Sequence, residues 1–200
     1  MSNKNYIIKK IILVGDAGVG KSSLFLKYDS NKFLDNYNAT IGVDYIFKNI
    51  EKEDKNVNLR LQIYDTAGQE RYRSLIPNYI KNSDGIFLIF DLTKKQTFND
   101  LGKWLELIEE QKKIDKNNLI ILGNKFDLVD SREVTDKDID LFKNNHDFKI
   151  FNVSAKSKEN LDECFEEMIN LIIENMDENE IGNNNSKKLK NNKKNGKCCM

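Results

Sequence analysis

Short, continuous apolar segments alternate with amphipathic segments along the chain, and this alternation restricts the fold more than any other feature. The segments "IILVG", "GIFLIFD" and "NLIILGN" hold too few polar residues for strands with one face in water. Strands of this kind are buried on both faces, as in parallel sheets covered by helices on each side. Because crossovers between parallel strands are right-handed, the loops that follow the strands meet at one edge of the sheet.

The pattern predicts an α/β fold of three layers, with a six-stranded, mostly parallel sheet and about five helices. The segment 41–65 is expected to form two antiparallel strands around a turn at 52–56. The other strands are predicted at 6–15, 85–91, 118–124 and 148–154. Helical periodicity is found at 21–29, 96–111, 136–146 and 158–176.

The periodicity ends after Met176 and divides the chain into two regions. Residues 1–176 are predicted to fold as one domain, and residues 177–200, rich in asparagine and lysine, to form a disordered tail. Six lysines and no acidic residue follow Gly182. A basic tail on a mildly acidic body suits an anionic surface and does not indicate nucleic-acid binding.

Composition excludes several classes of protein. At 39% hydrophobic and 32% charged, the chain has the composition of a soluble globular protein. It has no apolar stretch of bilayer-spanning length and no recognisable secretory signal, so we expect it in the cytosol. With a single histidine and no cluster of cysteines and histidines, zinc chemistry is not expected.

A glycine-rich loop follows the first predicted strand and opens the first predicted helix. Its sequence fits G-x-x-x-x-G-K-[ST], a phosphate-binding pattern that is specific only in this strand–loop–helix context. Its residues are Gly15, Asp16, Ala17, Gly18, Val19, Gly20, Lys21 and Ser22, followed by Ser23. Glycines let successive N–H groups turn towards a phosphate at the positive end of the helix. The lysine supplies a charge to the β- and γ-phosphates, and the serine hydroxyl is a ligand for Mg²⁺.

The tetrapeptide that follows the fifth predicted strand indicates which base is bound. In Asn124-Lys125-Phe126-Asp127, the carboxylate of Asp127 can accept both guanine donors, N1–H and the 2-amino group. Adenine would set an acceptor against that carboxylate, and such an unmatched polar group can discriminate on the order of 10⁴-fold. After the last strand, Ser154, Ala155 and Lys156 can offer a backbone N–H to the guanine oxygen.

A third group of residues is expected around Mg²⁺ and the γ-phosphate. Asp65 ends the third predicted strand and can hold Mg²⁺, while Gly68 lets a backbone N–H approach the γ-phosphate. Gln69 can orient an attacking water with its amide donor and acceptor. Thr40 can reach Mg²⁺ only when its polar segment folds over the phosphates, which predicts a switch released when the γ-phosphate is lost.

These five motifs, in this order and spacing, resemble those of the Ras superfamily of small GTPases over residues 6–176. "IGVDY" and "LQIYDTAGQERYRSL" are similar to the Rab branch, whose members govern membrane traffic. The resemblance implies a P-loop NTPase G domain that binds GTP or GDP with Mg²⁺ and switches at about 35–46 and 65–82. It also implies that Phe33 packs against the base and that Tyr37 closes over the γ-phosphate.

The resemblance further implies a set of partners for a chain that acts as a monomer. These are an exchange factor, a GTPase-activating protein, an escort protein with its prenyltransferase, a GDP-dissociation inhibitor and GTP-dependent effectors. Tyr45, Tyr64 and Tyr79 would form an all-tyrosine version of the aromatic cluster that Rab effectors contact. Ala17 stands where Ras proper has glycine, and its methyl group would crowd the γ-phosphate.

The cysteine pair in "KCCM" is expected to be a lipid-attachment site. Metal binding would need further ligands, and a disulfide between adjacent cysteines is disfavoured in the cytosol. A C-a-a-X box would need a cysteine at position 197, which is lysine. Cys198 and Cys199 resemble the Rab pattern, in which both carry geranylgeranyl groups and hold the protein on the cytosolic face of an internal membrane. The early secretory or Golgi side is favoured, with cycling through the cytosol.

Two other functions are open to such a chain. One is a passive GTP-binding tether without turnover, against which the intact Gln69 argues. The other is a phosphate-loop kinase or ATPase, against which Asp127 argues. The favoured mechanism is slow hydrolysis of GTP by in-line attack of water, with Lys21 and Gln69 as the catalytic side chains. No arginine of the motifs is placed as a finger, so a partner's arginine is expected to accelerate the reaction.

Overall fold

The computed structural model describes residues 6–33, 43–66, 76–114 and 117–177, which form a sheet with helices on both faces. The strands are β1 (Ile7–Val14), β2 (Val43–Lys52), β3 (Val57–Thr66), β4 (Gly85–Asp91), β5 (Leu119–Asn124) and β6 (Lys149–Asn152). The helices are α1 (Lys21–Ser30), α2 (Ile76–Lys81), α3 (Lys95–Asn99), α4 (Leu101–Gln111), α5 (Asp136–Asn145) and α6 (Leu161–Glu174).

The sheet has the predicted six strands, in the order β2-β3-β1-β4-β5-β6. Only β2 is antiparallel to its neighbour, as expected for a hairpin with a short turn, and every other pairing is parallel. The sequence prediction of a mostly parallel α/β fold is therefore confirmed.

The helices differ from the predictions in two places. The helix predicted at 96–111 is divided at Asp100, which ends α3 and precedes α4. Its backbone N–H still donates to the carbonyl of Gln96, 3.0 Å away, so helical hydrogen bonding continues through the division. The six-residue helix α2 has no counterpart in the predictions, because so short a segment shows too little periodicity.

Two apolar layers enclose the sheet. Along β1, Ile11 and Leu13 face the layer made with α1 and α6, whereas Ile12 and Val14 face the layer made with α2, α4 and α5. All seven residues of β4 are buried, which explains its unbroken apolar sequence. Cys164 is completely buried in the first layer.

Helix α1 is held firmly at the end that lies away from the glycine loop. The ring of Tyr28 stacks on Phe165 of α6 with centroids 3.6 Å apart and planes 5° apart. The ammonium of Lys48 lies 3.8 Å from the centre of the Tyr28 ring and donates to the Tyr28 carbonyl at 2.7 Å. A cation at a helix C-terminus satisfies an otherwise unpaired carbonyl and complements the helix dipole. Strand β2 thereby fixes α1, whose first residue is Lys21.

Candidate functional site

The chain segments that follow β1, β4, β5 and β6 meet at one edge of the sheet. Register shows this directly, because Asp91 at the end of β4 pairs with Asn124 at the end of β5. Likewise Leu13 near the end of β1 pairs with Asp65 near the end of β3. The predicted functional residues of the described segments lie at this edge.

Two glycines of the loop after β1 cannot be replaced without moving their surroundings. Gly15 has φ +139°, and a Cβ there would lie 2.2 Å from the carbonyl oxygen of Ile89. Gly20 has φ +94°, and a Cβ there would lie 2.3 Å from Nδ2 of Asn124. Both conformations are ones that residues with a side chain rarely adopt. The loop therefore passes close against β4 and the Asn124 side chain, and its tight curl depends on glycine.

Lys21, the first residue of α1, points its ammonium back into this loop. The side chain is buried, and Nζ donates to the carbonyls of Gly15 at 2.9 Å and Asp16 at 2.8 Å. Burial lowers the pKa of Lys21 to about 8, while the charges of Asp65 and Asp16 act in the opposite direction. A buried cation in a glycine loop at a helix N-terminus is matched by the negative charge of a phosphate. These residues fit a phosphate group.

Asp16 places a carboxylate within the same loop, where it would repel a phosphate if it pointed inward. Its Oδ1 accepts a hydrogen bond from Nε1 of Trp104 at 2.9 Å. Trp104 belongs to α4 and is only 4% exposed. Trp104 packs in the apolar layer, and its indole N–H also holds the Asp16 carboxylate towards α4.

Asp65 lies at the end of β3, buried next to β1. The neighbouring Thr66 donates its hydroxyl to the carbonyl of Leu13 at 2.7 Å, which fixes the two strand ends together. Asp65 is close enough to Lys21 for its charge to raise the Lys21 pKa. Carboxylate and hydroxyl oxygens are the ligands that Mg²⁺ prefers, so Asp65 and Ser22 have the right chemistry for that ion.

A pocket of about 250 Å³ opens beside the glycine loop. It is lined by Gly20, Ser23, Phe33, Asn124, Lys125, Asp127, Leu128, Ala155 and Lys156. Eight of these nine lining residues are predicted nucleotide contacts, and Leu128 is the addition. The aromatic wall contributed by Phe33 and the carboxylate of Asp127 suit a planar base with hydrogen-bond donors.

Asn124 joins the three loops that form the pocket. Its Nδ2 donates to the carbonyl of Val19 at 2.8 Å, and its Oδ1 accepts from the backbone N–H of Ala155 at 3.2 Å. The side chain is buried, so both bonds are made away from water. Asn124 thus fixes the glycine loop against the loop after β6, which is a structural role that its sequence motif does not indicate.

The hydroxyl of Ser154 orients the carboxylate of Asp127. Ser154 Oγ donates to Asp127 Oδ1 at 2.6 Å and accepts the backbone N–H groups of Lys156 and Ser157 at 3.1 and 3.0 Å. Ser154 is fully buried. The protein's own hydrogen bonds therefore hold the loop after β6 and the Asp127 carboxylate in one arrangement.

The structure brings most of the predicted site together at this edge. Those residues are Gly15, Asp16, Ala17, Gly18, Val19, Gly20, Lys21, Ser22, Ser23, Phe33, Asp65, Asn124, Lys125, Asp127, Ser154, Ala155 and Lys156. The other predicted residues, Tyr37, Thr40, Gly68, Gln69, Cys198 and Cys199, lie outside the described residues. Sequence reasoning missed the buried carboxylate of Asp91, although an acid directly after the apolar run "GIFLIF" is a recognisable signal.

The three tyrosines predicted to cluster do so. Ring centroids of Tyr45 and Tyr64 are 5.9 Å apart, and those of Tyr64 and Tyr79 are 5.1 Å apart. Tyr45 is 51% exposed, and so is the neighbouring Phe47 at 54%. Partial burial, with smaller effects from the other two tyrosines, raises the pKa of Tyr64. The cluster is an aromatic surface with three phenol groups.

In the described residues no helix is both long and apolar enough to cross a membrane.

The sequence model of the Ras family matches residues 10–174. That span includes every strand except the first part of β1, together with the glycine loop and the pocket.

Curated relatives agree with the family match. The chain is 35% identical over 175 residues to Ras-related protein RABD2a of Arabidopsis thaliana, covering 88% of this chain and 85% of the relative. It is 35% identical over 178 residues to GTP-binding protein ypt1 of Schizosaccharomyces pombe, covering 89% and 86%. It is 37% identical over 168 residues to human Ras-related protein Rab-12, covering 84% and 68%. The chain therefore belongs to the Ras family of small GTPases, in its Rab branch, whose members bind guanine nucleotides, hydrolyse GTP and regulate vesicle traffic.

Proposed function

We propose that the protein is a membrane-anchored switch in which residues 1–176 bind GTP or GDP with Mg²⁺ and residues 177–200 attach the domain to a membrane. The main support for this proposal is that a phosphate-binding loop and a base-sized pocket lie side by side at one edge of the sheet. The buried ammonium of Lys21 lies inside the glycine loop, and the adjacent pocket holds the oriented carboxylate of Asp127. Together they suit a triphosphate at one end and guanine at the other.

In this assignment the backbone from Gly15 to Ser23 holds the phosphates, and Asp127 accepts the guanine N1–H and 2-amino donors. Phe33 packs against the base, as its position in the pocket wall supports. Ser22, Asp65 and Thr40 are the proposed Mg²⁺ ligands. When bound, the ion would neutralise charge on the β- and γ-phosphate oxygens. Tyr37 and Gly68 are assigned to the γ-phosphate.

For hydrolysis, we assign the positioning of the attacking water to Gln69 and the stabilisation of developing charge to Lys21. The two segments that carry Thr40 and Gln69 would then respond to the presence of the γ-phosphate. Intrinsic hydrolysis is expected to be slow, and a partner's arginine should add on the order of 10³–10⁵ in rate.

Replacing Gln69 with leucine tests the catalytic assignment. Leucine keeps the side-chain size but removes the amide that orients water, so the single-turnover rate should fall about tenfold or more, a barrier increase of about 1.4 kcal/mol. Release of phosphate from GTP-loaded protein measures it, with and without activating protein. Gln111→Leu, at the end of α4, is the matched control and should hydrolyse like the wild type. A wild-type chain that never releases phosphate would instead favour the passive GTP-binding tether.

Partners in this proposal follow from the nucleotide cycle. An exchange factor, a GTPase-activating protein, an escort protein with its prenyltransferase, and a GDP-dissociation inhibitor would act on a monomer. Effectors would contact the aromatic surface of Tyr45, Tyr64 and Tyr79, in which Tyr45 is exposed and the other two rings are partly exposed. No nucleic-acid partner is proposed.

Membrane attachment is assigned to geranylgeranyl groups on Cys198 and Cys199, on the cytosolic face of an internal membrane with the early secretory or Golgi side favoured. One such chain gives marginal, reversible binding, whereas two anchor stably. The six lysines after Gly182 could each add up to about 1 kcal/mol beside anionic lipids.

Cysteine-to-serine changes in the tail test the anchor. The double variant Cys198→Ser/Cys199→Ser should be entirely cytosolic in cell fractionation, and each single variant should divide between membrane and cytosol. Asn195→Ser is the control within the same tail and should remain on membranes. Unlipidated cysteines in mass spectra of membrane-recovered wild-type protein would contradict this assignment.

A further inference from the structure

A buried carboxylate outside the predicted site lies directly behind the nucleotide pocket. Asp91 ends β4 and is 0% exposed. It pairs in the sheet with Asn124, and the next residue, Leu92, donates its backbone N–H to the Asn124 carbonyl at 3.0 Å. Burial of an ionised carboxylate is costly unless other groups compensate its charge. The identity of those groups therefore indicates what the residue does.

The two carboxylate oxygens of Asp91 have different partners. Oδ1 accepts from the backbone N–H of Thr93 at 2.9 Å and from the Thr93 hydroxyl at 2.7 Å. Oδ2 lies 2.6 Å from the ammonium of Lys125. The Thr93 bonds fix the carboxylate within its own loop, and the second oxygen is directed across to the loop after β5.

Lys125 is the partner that connects Asp91 with the pocket. Its side chain is 30% exposed and lines the cavity beside Asp127 and Phe33. Its backbone has φ +68°, a left-handed conformation that is uncommon for a residue with a side chain. Such a conformation persists where the surroundings impose it. The ion pair with Asp91 is one such constraint, because it holds the far end of the Lys125 side chain.

We propose that Asp91 is a positioning residue for the guanine nucleotide, acting through Lys125. The buried carboxylate holds the Lys125 ammonium at the back of the pocket, so that the aliphatic stem lies along the wall and covers the nucleotide. This rests on the proposed assignment of the pocket to guanine. An ion pair replaced by apolar groups of similar size often leaves a fold as stable or more so, so stability alone gives little reason for a buried pair here.

Exchange of Asp91 for asparagine in the full chain loaded with a fluorescent GDP analogue tests the proposal. Asparagine keeps the side-chain shape but removes the charge that holds Lys125. Dissociation of the analogue should become on the order of tenfold faster. Thr93→Val is the matched control, because it removes one bond to Oδ1 and leaves the ion pair intact. Its dissociation rate should stay within about twofold of the wild type.

A double-mutant cycle separates positioning from a merely structural effect. If Asp91 acts through Lys125, adding Asp91→Asn to Lys125→Met should not accelerate dissociation further. Should Asp91→Asn not fold, Asp91→Leu in the Lys125→Met background replaces the pair by apolar groups and must release the analogue as Lys125→Met does. Additive effects, or wild-type dissociation from Asp91→Asn, would overturn the proposal. A wild-type chain that prefers ADP to GDP would instead refute the guanine assignment.

Discussion

Exchange of Asp127 for asparagine is expected to lower the affinity for GDP on the order of 10³-fold, because the site would then set a donor against a donor. The wild-type carboxylate offers two acceptor oxygens, one of which also accepts the Ser154 hydroxyl at 2.6 Å. Asparagine carries an NH₂ group in place of one carboxylate oxygen, and guanine has no acceptor at the matching position. The loss includes the cost of leaving buried polar groups unpaired.

Competition binding with GDP, ADP and xanthosine diphosphate measures this change. Xanthine carries an oxygen where guanine carries the 2-amino group, so it should bind the variant better than GDP does. That gain cannot result from unfolding. Asp130→Asn, three residues further along and exposed, is the matched control and should bind GDP like the wild type. Unchanged preference for GDP in the Asp127 variant would refute the role assigned to this carboxylate.

Replacement of Lys21 by methionine should change binding and stability in opposite directions. The loss of the charge facing the phosphates should reduce nucleotide affinity on the order of 10³-fold. The nucleotide-free protein should become more stable, because burial lowers the Lys21 pKa from 10.5 to about 8 and the charged form is therefore disfavoured in the fold. The lowered pKa corresponds to a cost of about 3 kcal/mol for the charged over the neutral amine at neutral pH. This is an upper limit on the gain in stability, because methionine also leaves the carbonyls of Gly15 and Asp16 without the Lys21 donor.

The lowered pKa of Lys21 also determines how the stability of the nucleotide-free protein changes with pH. Because the folded pKa lies below the unfolded one, the unfolded chain binds more protons between about pH 8 and 10.5. The free energy of unfolding therefore rises with pH across this window. Below it, the destabilisation caused by burying the charged Lys21 ammonium is fully present. Denaturant titrations of nucleotide-free protein at pH 7 and pH 10 measure it, since the difference between wild type and Lys21→Met should shrink at high pH. Lys27→Met, on the same helix, controls for loss of a lysine, and a Lys21 variant with reduced stability at pH 7 would contradict the argument.

The sheet could be predicted from sequence because burial on both faces leaves a local signal. The unbroken apolar run of β4 and the alternation in β3 are visible in a few consecutive residues. The placement of candidate site residues at the sheet edge could be predicted where a motif is local, as in the glycine loop and the segment Asn124 to Asp127. Helix α2 and the division at Asp100 could not be predicted, because a short helix and a one-residue division alter the periodicity too little.

The other features that could not be predicted are contacts between segments that are distant in the sequence. Nothing near Asp16 indicates that its carboxylate would meet the indole of Trp104, which lies 88 positions along the chain. The pairing of Asp91 with Lys125 likewise depends on the adjacency of β4 and β5. The sequence predicts which residues lie at the edge of the sheet, but the hydrogen bonds between them depend on side-chain geometry.

The hydrogen bond between Trp104 and Asp16 makes tryptophan fluorescence a probe of the glycine loop. The chain has a single tryptophan, and its indole N–H is bonded to a residue of the glycine loop at 2.9 Å. Indole emission depends on the polarity and hydrogen bonding around the ring, and here that environment includes the loop that faces the phosphates. Intrinsic fluorescence should therefore report on this loop, and we expect a change in emission on nucleotide loading that can be measured without attaching a dye.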